Sequence, residues 1–253
     1  MSNHQKHRGQ HSNDQRLFSD TWMPVLNEAV ADLSWMLSKG YPDTASLKLV
    51  GDRYRLDSRQ RAALLRASCT DSARQRRIDT LADSMALKGC RMAIDGYNLL
   101  ITIESALAGG VIVCCRDGCY RDIASIHGTY RRVEETLPAL VTIGVTLQRL
   151  EVAEVTWLLD SPVANSGRLR WHMLEIAAQY QFAWEVELTT SPDKRIVAAP
   201  DRIAVSSDSW VLDHHPRWYN LHRHIADAVP NAWIIPLTGV YDEAAEVKGL
   251  RQV

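Results

Sequence analysis

The stretch RMAIDGYNLL, residues 91–100, is a short apolar strand that ends on an acid, a glycine, an aromatic residue and an amide. A strand that only fills a core does not need a carboxylate at its end. In open α/β sheets, ligands bind at the carboxyl ends of the strands. The stretch therefore predicts that Asp95 lies at such an edge, as one of several carboxylates that together hold a divalent metal ion.

Apolar runs alternate with helical segments from Gly89 onward. The predicted strands are 90–95, 109–118, 155–160, 184–190, 202–208 and 233–237. Helices are predicted at 98–107 and 166–181, and one or two more between 120 and 150, with a break near Leu137 and Pro138. Continuous apolar strands separated by helices indicate a mostly parallel sheet that is covered on both faces. The predicted fold class is α/β, with three layers.

The N-terminal part of the chain has helical periodicity instead. Apolar residues recur at three- and four-residue steps from 22 to 37, and further helical pieces are predicted at 46–50 and 58–69, with Asp57 or Ser58 as the cap of the last. The sequence thus divides into a flexible tail (1–20), a small all-helical, arginine-rich domain (21–88), an α/β domain (89–237) and a C-terminal tail (238–253).

The charge of the helical part is informative, although the formal net charge of the whole chain is only -1. Ten basic residues, nine of them arginines, lie between Asp52 and Arg91, against five acidic residues. Arginine is the side chain best suited to bidentate phosphate contacts. A solvated helical face, paired with its own aspartates, is the alternative for any single arginine. For the cluster as a whole we favour phosphate binding.

Aspartates follow four of the predicted strands: Asp95, Asp117, Asp160 and Asp208. Like charges at one edge raise one another's pKa unless a cation neutralises them. Oxygen ligands suit Mg²⁺ or Mn²⁺ rather than zinc, and Asn98 and the hydroxyls of Ser161, Ser206 and Ser207 are candidate helpers. Glu104 lies on the next helix, about 9 Å of axial rise above Asn98, and either faces the cluster or lies on the surface.

An aspartate after a strand is also a common helix cap, which is the alternative for Asp160 and Asp208. Asp117 belongs to RDGCYRD, where Asp122 or a simple Asp-Gly turn is the alternative. One such residue alone would indicate capping. Four on one predicted sheet, with the first in Asp-Gly-Tyr-Asn, favour a metal site.

Candidate substrate-binding residues surround this predicted site. The arginines near it are Arg116, Arg121, Arg131, Arg132 and Arg168, which either hold phosphates that flank a scissile bond or lie on helix surfaces. Asn98 and Ser207 are further candidates for substrate contact. His127 either donates to a phosphate or packs in the core. Among the eight tryptophans, Trp210 and Trp218 are predicted in loops and are candidates for base stacking.

Histidines and cysteines raise the question of zinc. His214, His215, His222 and His224 cluster near Asp213 without a firm ligand spacing, so packing or RNA contact is favoured over a zinc site. The five cysteines are odd in number, and the adjacent Cys114 and Cys115 point to opposite faces of a strand. Reduced thiols are therefore predicted. The sequence has neither a membrane-spanning apolar run nor a secretion signal, which predicts a cytoplasmic location without a membrane partner.

IDGYNLL closely resembles the first strand of the NYN and PIN-like nuclease domains. The chain from about 25 to 237 resembles the DUF434 family. The motifs that carry this resemblance are LVGDRYRLDSRQRAALLRAS, IDGYNLLITIESAL, RDGCYRDIASIHGTYRR, LDSPVANSGRL and VSSDSWVLD. This resemblance implies a PIN-like, Rossmann-like domain in which Asp95, Asp160 and Asp208 match the acidic metal-binding positions. Glu104 and Asp117 match them less closely.

The predicted function is metal-dependent hydrolysis of a phosphodiester, with RNA as the expected nucleic-acid partner. Asp95, Asp160 and Asp208 are the predicted catalytic residues and hold Mg²⁺ or Mn²⁺, with Glu104 and Asp117 as further metal ligands. A non-catalytic RNA-binding module on the same fold is one alternative, and a metal-dependent phosphatase of a small phosphate ester is another. Binding of a partner protein by the N-terminal domain stays open as well.

Overall fold

The computed structural model describes residues 7–124 and 130–240, so His127 and residues 241–253 of the predicted C-terminal tail lie outside the described residues. The strands are β1 (Arg91–Asp95), β2 (Val111–Cys115), β3 (Tyr120–Asp122), β4 (Glu154–Asp160), β5 (Trp184–Thr189), β6 (Ile203–Val205) and β7 (Trp233–Leu237). Sheet A has the order β5-β4-β1-β6 and all of its pairings are parallel. Sheet B has the order β3-β2-β7 and mixes an antiparallel with a parallel pairing.

The helices before β1 are α1 (Asp14–Leu17), α2 (Met23–Ser38), α3 (Asp43–Arg53), α4 (Ser58–Ala67) and α5 (Asp71–Asp79), followed by a 3-10 turn at Ser84–Leu87. The helices after β1 are α6 (Gly96–Leu107), α7 (Thr136–Arg149), α8 (Ser166–Tyr180), α9 (Pro192–Val197), α10 (Ser209–His214) and α11 (Leu221–Ala226). The predicted mixed α/β class with a helical N-terminal region is confirmed.

The central strand of sheet A, β1, is buried on both faces. Met92 and Ile94 belong to a large core that includes residues of α6, α7 and α8. Ala93 points the other way, into a smaller core that α9 and α10 complete. Successive side chains of a strand alternate between faces, so this run of buried residues requires cover on both sides. Because the four strands of sheet A run parallel, their carboxyl ends lie together at one edge.

The strands at 111–115 and 233–237 were predicted in the same sheet as β1, but they form sheet B instead. Leu26 and Leu64 of the N-terminal helices share one core with Val113 and Ile235 of this sheet. The helical region therefore covers one face of sheet B. The periodicity identified these strands correctly, yet it carries no information on which strands become neighbours.

Two further segments differ from the sequence prediction. Residues 7–20, predicted as flexible, include α1, and Leu17 and Phe18 are each only 2% exposed. The polar composition of this segment did not reveal that Leu17 and Phe18 pack in one core with residues of α4. Residues 120–122 form β3 rather than a helix, and α7 begins at Thr136. Pro138 thus lies in the first turn of α7, where its missing N–H costs no intrahelical bond.

A buried carboxylate joins the helical region to the rest of the chain. Asp117, in the β2–β3 turn, accepts a hydrogen bond from Arg77 of α5 at 2.6 Å and two from Arg121 of β3 at 2.9 and 2.7 Å. Arg77 also binds the carboxylate of Asp213 in α10 at 2.8 Å. Although burial opposes ionisation, Arg121 and Arg77 hold the pKa of Asp117 well below its usual range. The ion network fixes α5, sheet B and α10 to one another.

We expect Asp117→Asn to lower the free energy of unfolding by about 3 kcal/mol, because it leaves two buried guanidinium groups without their shared counter-charge. Urea denaturation at pH 7 measures this loss. Asp201→Asn is the matched control, since the Asp201–Arg91 pair is half exposed and such pairs contribute under about 1 kcal/mol. Equal stability of Asp117→Asn and wild type would contradict a structural role for Asp117.

Candidate functional site

The Asp-Gly-Tyr-Asn turn joins β1 to α6, and each of its residues has a distinct role. Asp95 ends the strand. A Cβ on Gly96 would lie 2.5 Å from the Leu159 side chain and 3.0 Å from the Leu158 carbonyl oxygen, so only glycine lets α6 begin this close to β4. The Tyr97 ring packs on Tyr130 with centroids 5.3 Å apart. The turn thereby places Asp95 at the carboxyl edge of sheet A.

Three of the predicted acids converge at this edge. Asp95 pairs in register with Leu158, so Asp160 lies two residues further along the neighbouring strand. On the other side Ile94 pairs with Val205, which places Ser206 beside Asp95 and Asp208 just beyond. Together with Asp193 of α9, these three acids form a group that we call the acidic edge.

Asp193 is a fourth acid that the sequence reasoning missed. It lies in the first turn of α9, which follows β5 and packs against β1 and β4. Burial, Asp208 and Asp160 all raise the pKa of Asp193. The signal was present in the sequence, because TTSPDK places an acid four residues after the end of β5. Asp193 does not end its strand directly, because the loop 190–191 separates β5 from α9.

The electrostatics of the acidic edge are those of carboxylates without a counter-ion. Burial, followed by the charges of Asp193 and Asp208, raises the pKa of Asp95 to about 7, although the Ser206 hydroxyl donates a hydrogen bond to it at 2.9 Å. Burial and Asp160 raise the pKa of Tyr97 to about 12. Across residues 7–124 and 130–240, no salt bridge engages any of the four acids.

Asp208 caps a helix, as the alternative reading of the sequence stated. Its Oδ1 accepts hydrogen bonds from the amides of Trp210 and Val211 at 2.8 and 3.2 Å. Its Oδ2 makes no bond within the described part of the chain. Capping therefore uses one oxygen of Asp208 and leaves the other for a ligand.

The loop 206–208 that carries Asp208 is fixed from two sides. Asn98 Oδ1 accepts hydrogen bonds from the Ser207 amide and hydroxyl at 2.8 and 3.0 Å, and from His222 Nε2 at 2.8 Å. Arg121 Nε donates to the Ser207 carbonyl oxygen at 2.7 Å. The predicted substrate-binding residues Asn98, Arg121 and Ser207 thus bind one another and position the acidic edge.

Glu104 and Asp117, the two further predicted metal ligands, do not lie at the acidic edge. Glu104 is fully buried and binds the Arg8 guanidinium and the hydroxyls of Tyr130 and Thr136. Burial raises the pKa of Glu104, and Arg8 opposes that shift. Asp117 belongs to sheet B and to the ion network with the two arginines. Both are bound by partners that serve the fold.

The predicted phosphate-binding arginines are divided between the fold and the surface. Arg116 binds Asp71 at 2.6 Å and the Cys69 carbonyl oxygen. Arg131 is exposed, and its carbonyl oxygen accepts a bond from Arg8. Arg168 is exposed on α8. In the helical region, several arginines bind acids or carbonyl groups of the same chain: Arg53, Arg59, Arg61, Arg66, Arg74 and Arg77.

Among the described residues, the histidines and cysteines form no common site. His215 and His222 are buried and bind backbone and amide oxygens, whereas His214 and His224 are exposed. The five cysteines are free. Trp218 is only 1% exposed and donates to the Arg77 carbonyl oxygen, which rules it out as a stacking surface. Within the described ranges, no group of three or more His, Cys, Asp or Glu side chains is arranged to hold a metal ion.

The comparisons with known proteins give families rather than an activity. A model described as "Domain of unknown function (DUF5616)" matches residues 84–224, and one described as "Protein of unknown function (DUF434)" matches residues 25–79. The uncharacterized protein MJ0935 of Methanocaldococcus jannaschii is 27% identical over 198 residues, which cover 74% of this chain and 93% of that protein. No solved structure matches the chain. The predicted DUF434 resemblance is confirmed for the helical region, and the α/β region matches DUF5616.

Hydropathy adds one observation on membranes. Among the helices of the described residues, none has the length and apolar character required to cross a bilayer.

The raised pKa of Asp95 makes stability depend on pH in a defined direction. The pKa of an aspartate in an unfolded chain is about 4, whereas burial and the neighbouring acids raise the pKa of Asp95 in the folded protein to about 7. The unfolded chain therefore loses this proton first, and the fold is destabilised progressively as pH rises through that window. We expect Asp95→Asn to match wild type at pH 4 and to exceed its free energy of unfolding by about 4 kcal/mol at pH 8, because each unit of pKa difference corresponds to about 1.4 kcal/mol.

Urea denaturation in EDTA at both pH values measures this difference. Asp201→Asn is the control, because Asp201 lies at the opposite edge of sheet A and binds Arg91. A loss of stability at pH 8 in Asp95→Asn, rather than a gain, would show that Asp95 is stabilised as a carboxylate and would contradict the prediction.

Proposed function

The chain belongs to the DUF5616 family, and from the chemistry of its acidic edge we propose that it is a metal-dependent phosphodiesterase that hydrolyses RNA in the cytoplasm. In this proposal Asp95, Asp160 and Asp208 bind Mg²⁺ or Mn²⁺, and Asp193 joins them. The proposal includes a PIN-like assignment for the domain around sheet A, which the resemblance of IDGYNLL to NYN and PIN-like nucleases supports.

The observation that carries the proposal is the convergence of four carboxylates without a protein cation. Asp193 and Asp208 both raise the pKa of Asp95, and Asp160 and Asp208 raise that of Asp193. Repulsion of this kind costs stability unless a cation offsets it. A divalent ion bound at the edge would convert the repulsion into ligation.

The donor set fits a hard cation in its chemistry. Carboxylate and hydroxyl oxygens are the ligands that Mg²⁺ and Mn²⁺ prefer. Asp208 uses Oδ1 for the α10 cap, and its Oδ2 makes no bond within the described residues. Asp95 accepts the Ser206 hydroxyl through Oδ2 and is also hydrogen-bonded by the Asn98 backbone. The side chains of Asp160 and Asp193 are half-buried, and they would have to turn toward a common ion. This rotation is required, because the side chains as placed do not form a ready ligand group.

A divalent ion in such a site activates water and neutralises charge on the phosphodiester. The chain's own residues fix the geometry. Ser206 orients Asp95, and the Asn98 amide together with Arg121 holds the Ser207 backbone, which keeps Asp208 in place. A rigid edge of this kind lowers the cost of orienting a bound strand.

A non-catalytic RNA-binding module on the same fold is the second candidate. The observation that favours it is that the acids need to rearrange before three of them meet at one ion. A phosphatase of a small phosphate ester is tested alongside, with p-nitrophenyl phosphate as the probe.

We expect cleavage of single-stranded RNA in Mn²⁺ or Mg²⁺ and none in EDTA. Asp95→Asn and Asp160→Asn should each lower the rate at least about 100-fold, because each removes a carboxylate from the metal site. Asp193→Asn tests the fourth acid in the same assay. A gel assay on labelled RNA and DNA strands, with p-nitrophenyl phosphate in parallel, measures these rates.

Asp201→Asn controls for the loss of a sheet-edge aspartate that lies away from the site, and it should cleave like wild type. RNA binding without cleavage in any metal would support the binding module instead. Hydrolysis of p-nitrophenyl phosphate alone would support the phosphatase.

Metal binding has a readout that is independent of activity. We expect Mn²⁺ at millimolar concentration to raise the Tm of the wild type at pH 8 by several degrees, at about 2–4 °C per kcal/mol of binding free energy. The shift should be smaller at pH 6, because protons compete for Asp95. Differential scanning calorimetry measures it. An undiminished shift in the double variant Asp95→Asn, Asp160→Asn would place the ion elsewhere.

A further inference from the structure

A pair of stacked, exposed rings lies on α10, directly after the acidic edge. The ring of Trp210 lies 4.6 Å from that of His214, with 28° between their planes, and Trp210 is 41% exposed. His214 Nδ1 hydrogen-bonds the Trp210 carbonyl oxygen at 2.7 Å, which fixes the imidazole one helical turn later. The two rings stack on each other and form one aromatic pair, which we call the α10 platform.

The platform is held rigidly to the fold. Arg77 binds both carboxylate oxygens of Asp213 in α10 and contacts the Ser209 carbonyl oxygen. Asp208 caps the first turn, and Val211 and Leu212 are fully buried. Because Asp208 accepts a hydrogen bond from the Trp210 amide itself, the platform begins two residues from an acid of the acidic edge. An aromatic ring fixed in this way loses little conformational freedom when a ligand stacks on it.

The two helices against which α10 packs each carry an exposed cation. α10 packs against α5 and α9. Arg76 of α5 and Lys194 of α9 are exposed. Unlike Arg77 and Arg195 beside them, they make no salt bridge with any residue in the described ranges. Exposed aromatic rings on a helix whose two neighbouring helices carry exposed cations match the chemistry of a nucleic acid strand, whose bases stack and whose phosphates carry the charge.

We propose that the α10 platform binds an unpaired nucleobase, with Arg76 and Lys194 holding neighbouring phosphates, so that the acidic edge receives a single strand. Bases within a duplex are covered on both faces, and only an unpaired base has a face free to stack on Trp210. This inference rests on the proposed function for its substrate class and adds the strandedness of that substrate.

Fluorescence anisotropy in EDTA tests the platform without cleavage. The probes are fluorescein-labelled 12-nucleotide single strands of RNA and of DNA, and a hairpin duplex of the same composition. We expect single strands to bind more tightly than the hairpin, and Trp210→Ala to weaken single-strand binding at least about fivefold. Trp210→Phe should retain most of the affinity, because it keeps an aromatic face. The double variant Arg76→Gln, Lys194→Gln should lower the salt dependence of binding.

Trp171→Ala is the matched control, because Trp171 is 61% exposed and also lies against a histidine, His172, at 6.0 Å, but on α8. It should bind like wild type. Equal affinity of Trp210→Ala and Trp171→Ala, or preference for the hairpin, would overturn the platform. The comparison of RNA with DNA shows whether the sugar is read.

The two proposals fail separately. Loss of binding in Trp210→Ala, with no cleavage by the wild type in any metal, would support the platform and remove the phosphodiesterase. Metal-dependent cleavage with unchanged binding in Trp210→Ala would do the reverse.

Discussion

The rest of the structure depends on the buried ion pairs that the ionised carboxylate of Asp117 forms with two arginines. This carboxylate is almost completely buried between the guanidinium groups of Arg77 and Arg121. Desolvating three charges is costly, and the close, multiple hydrogen bonds offset that cost only if every partner stays in place. The network therefore fixes the position of α5 against sheet B, and through Asp213 it fixes α10 as well. The network thus adds buried ion pairs to the apolar core by which the helical region packs on sheet B.

Arg121 extends this constraint to the acidic edge, because it also binds the Ser207 carbonyl oxygen. The Asn98 amide oxygen holds the same residue from α6, and His222 donates to that oxygen. Burial and Arg121 lower the pKa of His222 to about 3, so the imidazole is neutral at physiological pH. The hydrogen bond between His222 and Asn98, which supports the loop 206–208, consequently does not change with pH near neutrality. The titration that remains at this edge belongs to the carboxylates.

The sequence predicted local features well and spatial neighbours less well. Apolar runs located β1 and β4, and the rule that strands of an α/β sheet deliver ligands at their carboxyl ends brought Asp95, Asp160 and Asp208 together. The same rule misplaced Asp117, because an apolar strand does not reveal whether it joins sheet A or sheet B. Pairing of Glu104 with Arg8, 96 residues away, is a long-range contact that periodicity does not encode. Asp193 was missed because it follows its strand after a short loop and not directly.

The chain treats its buried acids in two different ways, and the contrast favours a functional acidic edge. Three buried acids each form a salt bridge with arginine: Asp14 with Arg59, Glu104 with Arg8, and Asp117 with Arg77 and Arg121. In these three places an arginine guanidinium group neutralises the buried carboxylate. At the acidic edge no arginine of the described residues forms a salt bridge with an acid, and neighbouring carboxylates raise the pKa of Asp95 and Asp193 instead. Strain of this kind is kept at sites where a ligand relieves it. In the proposed function, a cation from solution would be that ligand, because it would offset the repulsion among the four acids.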